Sequence, residues 1–300
     1  MTMKYHNPVL LKEAVAGLNV KQNGIYVDAT FGGRGHSREI LKHLGPEGRL
    51  FAFDQDQDAL LNAIEDSRFT LINENFRFTK RFLRFHGVKE IDGILADLGV
   101  SSHQFDIAER GFSTRFDANL DMRMDQNSPL SAFNVVNDYD EEQLRQVFKQ
   151  YGELRQAPAM ARVIIEERSK SPIETSERLK FVLKRFLQHK KEHKILAQIY
   201  QAIRIEVNQE IEALKELLLQ APEILKNGGR LSFISYHSLE DRLVKRFIRN
   251  GMFEGEPERD VFGHYKVPFK KIGQLIVPSE QEIKLNNRAR SAKLRIAEKI

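Results

Sequence analysis

Between residues 20 and 100 the apolar positions fall in short blocks, separated by polar stretches with helical spacing and by glycine-containing links. The blocks at 25–30, 49–54, 69–73 and 91–98 are predominantly apolar, as strands covered on both faces of a parallel sheet must be. Helical periodicity fills the gaps at 37–44, 58–66 and 78–85, with Gly45-Pro46 and Gly87 marking helix ends. Alternating strands and helices with short links predict repeated βα units. After Gly99 the pattern changes. Residues 106–205 show helical runs at 141–151, 158–170, 176–189 and 194–204 and no convincing strand. The α/β pattern then returns: a long helix near 208–225, a Gly228-Gly229 turn, a strand at 230–236 and a helix at 239–249. Segments 272–277 and 292–297 complete the sheet as an antiparallel edge hairpin. The expected architecture is α/β: a discontinuous sheet domain, 1–105 and 206–300, interrupted by an all-helical insert at 106–205. Ligands of such sheets sit at the carboxyl ends of the strands, so an insert springing from the fourth strand is placed to roof the site. Internal repeats and low-complexity segments are absent from the sequence.

The run Asp28-Ala-Thr-Phe-Gly-Gly-Arg-Gly-His-Ser37 joins the first strand to the first helix through a glycine-rich turn. Strand, glycine turn and helix start make a nucleotide-shaped pocket, because glycine brings the backbone close to a ligand. Asp54 ends the next strand about 20 residues on, where an acid can hold ribose hydroxyls. An adenosine-type cofactor follows. A dinucleotide fingerprint needs a third glycine for close helix–strand packing. Here Gly33-Arg34-Gly35 is followed by His36, Ser37 and Arg38, a pattern that fits S-adenosylmethionine better than a nicotinamide dinucleotide.

The fourth strand ends in Asp97-Leu-Gly-Val-Ser-Ser102. Methyl transfer from an activated sulfonium asks for alignment and exclusion of water rather than covalent chemistry. The exocyclic amine of a base is a poor nucleophile, and a carboxylate accepting its N–H localises the lone pair and then receives the proton. Asp97 is the candidate, with Ser101 and Ser102 beside it; the alternative is that Asp97 caps the next turn and the serines satisfy backbone groups. Near the fifth strand, Ser238 reads as a helix cap with Asp241 at the capping-box position.

Composition narrows this chemistry. The chain of 300 residues has no cysteine, which removes thiolate ligands, iron–sulfur clusters and any cytosine C5 methylation through a cysteine adduct. No metal ligand set is assigned. The absence of a long apolar run and of an N-terminal signal pattern leads us to expect a cytoplasmic protein without membrane association. The net charge of +5 permits nucleic acid. Residues 117–142 carry a net −6, whereas residues 178–194 carry a net +6. The basic run, Arg178, Lys184, Arg185, Lys190, Lys191 and Lys194, reads as a phosphate-binding surface or as a solvated helix face. A second group, Arg288 and Arg290 among them, lies near the C-terminus.

The chain resembles the bacterial small-subunit ribosomal RNA cytosine-N4 methyltransferase family, also called MraW or RsmH, nearly end to end. The carrying segments include His6-Asn-Pro-Val-Leu-Leu11, the 28–37 loop, Asp97-Leu-Gly-Val-Ser-Ser102, Glu109-Arg-Gly-Phe-Ser113, Leu120-Asp-Met-Arg-Met124, Gln201-Ala-Ile-Arg-Ile-Glu-Val-Asn208, His237-Ser-Leu-Glu-Asp-Arg242 and Arg288-Ala-Arg-Ser291. The resemblance implies a class I, Rossmann-like, S-adenosylmethionine-dependent methyltransferase fold. It also implies cofactor contacts at Gly33, Arg34, Gly35, His36, Asp54, Phe76 (beside the adenine), Asp97 and Gln104. It further implies an insert that helps hold RNA, and N4-methylcytidine in the decoding region of 16S rRNA as the product. The small ribosomal subunit is the implied partner, and a homodimer is compatible with the sequence. Three positions depart from the family pattern. Arg34 stands where a glycine is usual, Asn287 replaces a proline, and Glu206 replaces a tryptophan. Two other readings stay open on the residues: an NAD-dependent oxidoreductase and a non-catalytic rRNA-binding assembly factor.

Overall fold

The computed structural model describes residues 8–188, 191–257 and 266–300. Among the described residues there are seven strands: β1 (Ile25–Asp28), β2 (Arg49–Phe53), β3 (Phe69–Ile72), β4 (Ile91–Asp97), β5 (Leu225–Ser235), β6 (Phe269–Ile276) and β7 (Lys293–Lys299). They form one sheet in the order β3-β2-β1-β4-β5-β7-β6. The first five are mutually parallel, while β7 runs antiparallel between β5 and β6. This is the α/β, Rossmann-like methyltransferase sheet with its antiparallel edge hairpin. The helices, in chain order, are α1 (Leu11–Leu18), α2 (Gly35–His43), α3 (Thr79–Phe85), α4 (Ser102–Asp106), α5 (Ala132–Asp138), α6 (Glu141–Gln150), α7 (Ala157–Arg168), α8 (Ser176–Val182), α9 (Glu192–Asn208), α10 (Glu210–Ile224), α11 (Ser238–Asn250) and α12 (Glu280–Leu285).

Strand alternation explains why the central strands are apolar throughout. Val27, Phe51, Ile94 and Phe233 point to one face, where Leu214, Leu217 and Leu218 of α10 and Val244 and Phe247 of α11 cover them. Their neighbours Tyr26, Leu50, Leu95 and Ile234 point to the other, under Val15 and Leu18 of α1 and Ile40 and Leu41 of α2. A side chain on either face of β1, β2, β4 or β5 therefore meets a helix, and a polar residue there would be buried without water.

The chain divides into two compact units, Met1–Gly99 with Ile211–Ile300, and Val100–Glu210. The sequence pattern placed these seams at 105/106 and 205/206. The helical signal of α9 runs unbroken to Asn208, and α4 already belongs to the second unit, so periodicity alone sets the seams inside it. The second unit has its own core, built from residues such as Met122, Val135, Phe148, Ile164 and Ile203. Its Leu120–Met124 segment is held by Asn208, whose amide donates to the Met122 carbonyl (2.8 Å) and accepts from the Met124 N–H (2.7 Å). Glu206, the residue in place of a tryptophan, accepts a 2.7 Å hydrogen bond from Tyr139.

Several local expectations are corrected. The helix at 58–66 is a 3-10 helix over Gln57–Asn62, started by the Asp56 side chain accepting from Asp58 N and buried only through Ala59 and Asn62. The 176–189 helix stops at Val182 and continues as a 3-10 turn over Lys184–Phe186. Helix α1, for which no element was expected, fills the face of β4 and β5 with Ala14, Val15 and Leu18. His237, not Ser238, caps α11. Its backbone is extended at φ −132, its ring nitrogen accepts from Glu240 N, and Glu240 rather than Asp241 completes the capping box. No helix among the described residues is long and apolar enough to cross a membrane.

Candidate active site

β1 delivers Asp28 to the carboxyl edge of the sheet, where the chain turns at once. The buried Asp28 carboxylate accepts from Thr30 N (3.1 Å) and from Ser37 Oγ (2.6 Å), tying the strand end to the first turn of α2. Between these anchors Gly32 has φ +47 and donates its N–H to Asp54 Oδ2 at 2.8 Å. The other Asp54 oxygen accepts from Asp56 N at 2.9 Å. Asn73, just past β3, donates its side-chain amide to the Asp54 carbonyl at 2.8 Å, so the ends of β1, β2 and β3 are linked. Gly33 is exposed on the turn. Arg34 occupies the left-handed region at φ 62, ψ 6, a conformation glycine adopts at little cost and other residues rarely do. A Cβ on Gly35 would lie 2.0 Å from Cγ of Pro8, so that position admits only glycine without a backbone shift.

β4 brings Asp97 to the same edge, with its N–H donating to Thr30 Oγ1 at 2.6 Å. Tyr236, just past the end of β5, donates its hydroxyl to Asp97 Oδ1 at 2.7 Å. Asp97 Oδ2 lies 3.8 Å from His36 Nδ1. His36 is buried, and its Nε2 is 3.1 Å from the Val9 carbonyl. A carbonyl can only accept, so Nε2 donates in that contact, and Nδ1 is the ring nitrogen that faces Asp97. Phe76 begins a 3-10 turn after β3, half-buried against the sheet core, and its carbonyl accepts from Thr79 Oγ1 at 2.6 Å.

Burial dominates the electrostatics of this edge. It pushes Asp54 up to about 7 against the opposing pull of the Asp56 and Gly32 N–H bonds. It raises Asp97 to about 6, although His36 and the Tyr236 hydroxyl favour the charged form. Asp28 is raised as well, chiefly by burial, and its charge adds to the shifts of both Asp54 and Asp97. Buried carboxyls around a glycine loop, with the Asp28 charge bearing on both Asp54 and Asp97, suit a ligand that brings hydroxyl donors and positive charge.

Gly33, Arg34, Gly35, His36, Asp54, Phe76 and Asp97 thus lie at the carboxyl edge of one sheet. Ser101, Ser102 and Gln104 lie in the second unit. Ser101 and Gln104 form the capping box of α4, with Gln104 N donating to Ser101 Oγ (3.2 Å) and Ser101 N donating to Gln104 Oε1 (3.1 Å); Ser102 opens that helix. Lys184, Arg185, Lys191 and Lys194 are exposed. Arg178 is engaged by Glu167 at 3.0 Å and lies 5.4 Å from the ring centre of Phe181. Lys190 falls outside the described residues. Arg288 and Arg290 belong to the first unit, on a 3-10 turn capped by Asn286, whose side chain accepts from Arg288 N. Sequence reasoning missed Tyr236 and Phe181. Tyr236 reads as the last residue of a strand, and only the pairing of Asp97 with Ile234 across β4 and β5 brings its hydroxyl to the acid.

Residues 3–300 match the MraW methylase family. A ribosomal RNA small subunit methyltransferase H from Flavobacterium johnsoniae is 71% identical over 299 residues, covering 100% of this chain and 99% of that protein. The protein of the same name from Bacteroides fragilis is 54% identical over 296 residues, covering 98% and 97%. Among solved structures, an rRNA methylase from Streptococcus thermophilus aligns with a TM-score of 0.42 at 13% identity, covering 96% of this chain and 93% of that one. The chain belongs to the MraW methylase family.

Proposed function

We propose that this protein transfers a methyl group from S-adenosylmethionine to the exocyclic N4 amine of a cytidine in the decoding region of 16S rRNA, acting on the small ribosomal subunit in the cytoplasm. The observation that carries the reading is the cluster of Asp28, Asp54 and Asp97 around the 32–36 turn. A dinucleotide would bring a pyrophosphate into three carboxyls, whereas S-adenosylmethionine brings a net positive charge and two ribose hydroxyls. The residues therefore fit the sulfonium cofactor and oppose the nicotinamide one. When bound, the cofactor supplies a methyl group on an already activated sulfonium.

The chain's own residues do the rest. Asp54 keeps carboxylate lone pairs for ribose hydroxyls after accepting from Gly32 and Asp56. Phe76 offers an apolar wall to the adenine. Asp97, with Oδ1 engaged by Tyr236, accepts the N–H of the target amine through Oδ2, which localises the nitrogen lone pair and gives the proton a destination. Ser101, Ser102 and Gln104 begin the second unit only a few residues further along the chain. That unit supplies the RNA surface: Lys184, Arg185, Lys191 and Lys194 for phosphates, and Phe181, 63% exposed, for stacking with an unpaired base. Members of the family named ribosomal RNA small subunit methyltransferase H support the substrate.

The decisive measurement is transfer of labelled methyl to small subunits from a strain lacking the activity, followed by mass mapping of the modified nucleotide. N4-methylcytidine at one site is the expected product. No incorporation at saturating cofactor, or label on a ring carbon, would refute the reading.

A further inference from the structure

We propose that Tyr236 is a positioning residue for methyl transfer, fixing which oxygen of Asp97 meets the target amine. The inference deepens the reading above and rests on it. Asp97 presents two oxygens to the site. Oδ1 accepts the Tyr236 hydroxyl at 2.7 Å, while Oδ2 has no hydrogen-bond partner among the described residues. His36 Nδ1 stands 3.8 Å from it, beyond hydrogen-bond reach. The Tyr236 clamp thus removes one rotational choice from the carboxyl and leaves the accepting oxygen free. Tyr236 is itself held, since its backbone N–H donates to Glu240 Oε2 at 2.9 Å. Its ring packs against the α1–α2 side of the sheet. The phenol remains a donor throughout, because burial and the adjoining Asp97 carboxylate raise its ionisation well above the ordinary range.

In the step this geometry serves, the N4 proton passes to Asp97 Oδ2 as the N–CH3 bond forms and the S–CH3 bond breaks. The groups that bear on Asp97 are His36 from α2, Asp28 from β1, and Tyr236 and Glu240 from the β5–α11 side; Glu282 of α12 bears on Tyr236.

The test compares Tyr236→Phe with the wild type on small subunits, together with replacement of Tyr236 by difluorotyrosine. Losing the phenol removes a bond that favours the carboxylate, so the acidic limb of the kcat–pH profile moves up by about one unit. With orientation lost, kcat falls roughly tenfold. KM and the calorimetric affinity for S-adenosylmethionine stay near wild type, which also reports correct folding. Difluorotyrosine, a stronger donor, moves the limb in the opposite direction. Unchanged limbs in both variants, or a loss of cofactor affinity equal to the loss of kcat, would overturn the role. An inactive wild type would instead condemn the functional reading itself.

Discussion

Arg34 holds a left-handed backbone at φ 62, immediately before α2. For a residue with a Cβ that conformation costs roughly 1–2 kcal/mol. Arg34→Gly is therefore expected to raise Tm by a few degrees, given that about 1 kcal/mol moves a domain of this size by ~2–4 °C. A lower Tm in a thermal melt would mean that the arginine side chain contributes more than its backbone costs. Asp97 makes a second residue-scale case. Its carboxyl titrates near 6 in the folded protein, above the ordinary aspartate value. The native state then binds more protons than the unfolded chain between about pH 4 and pH 6. That contribution is complete at the acid end of the window and is lost as pH rises through it. Asp97→Asn keeps an acceptor for Tyr236 and has no charge to bury. It should be more stable than wild type at pH 8, by roughly 1–3 kcal/mol, and should lose that advantage by pH 4. Turnover should nonetheless be abolished. Parallel denaturant melts at the two pH values check the sign. Asp97 was legible from the sequence because an acid at a strand end with glycine after it has few structural reasons to be there. Tyr236 was not, because its role is a contact with another strand.

At the scale of elements, the loop after β1 is a knot of side chain and backbone rather than a flexible cradle. The Ser37 hydroxyl donates to buried Asp28 at 2.6 Å, fastening α2 to the strand it follows. Ser37→Ala leaves that acid one donor short in a dry site and should cost about 1–3 kcal/mol of stability. A lower denaturation midpoint with an unchanged slope is the expected observation; an unchanged midpoint would show that Asp28 is protonated and needs no such donor. Strands and long helices were readable because hydrophobic period is a local property. The errors fell where a side chain decides an element's start. His237 caps α11 because Glu240 reaches back to the N–H groups of Tyr236 and His237, a bond pattern that Ser238 with Asp241 mimics in sequence. The 3-10 turn at Gln57–Asn62 likewise opens on a side-chain bond, Asp56 accepting from Asp58 N.

For the whole molecule, the two units divide the work of the proposed reaction: carboxyls and glycine turn in the first, exposed cations and Phe181 in the second. Reversing charge at Lys184 and Arg185 together should weaken RNA binding at low salt and reduce the slope of log affinity against log salt by ~2. Calorimetric affinity for S-adenosylmethionine should not move. Loss of both would mean that the second unit had unfolded, since Phe186 of the same turn is buried in its core. The alternation of apolar blocks determined by itself that a parallel sheet with helices on both faces would form and that a helical segment would interrupt it. The absence of cysteine alone removed the covalent route to cytosine carbon. Tertiary structure alone decided that Tyr236 clamps Asp97, that His36 turns Nδ1 toward Asp97 and Nε2 toward the Val9 carbonyl, and that Pro8 is why position 35 must be glycine. The physical reason is range. Hydrophobic period and composition are summed over neighbours in the chain, whereas a hydrogen bond between the ends of two strands depends on a register that only the folded sheet sets.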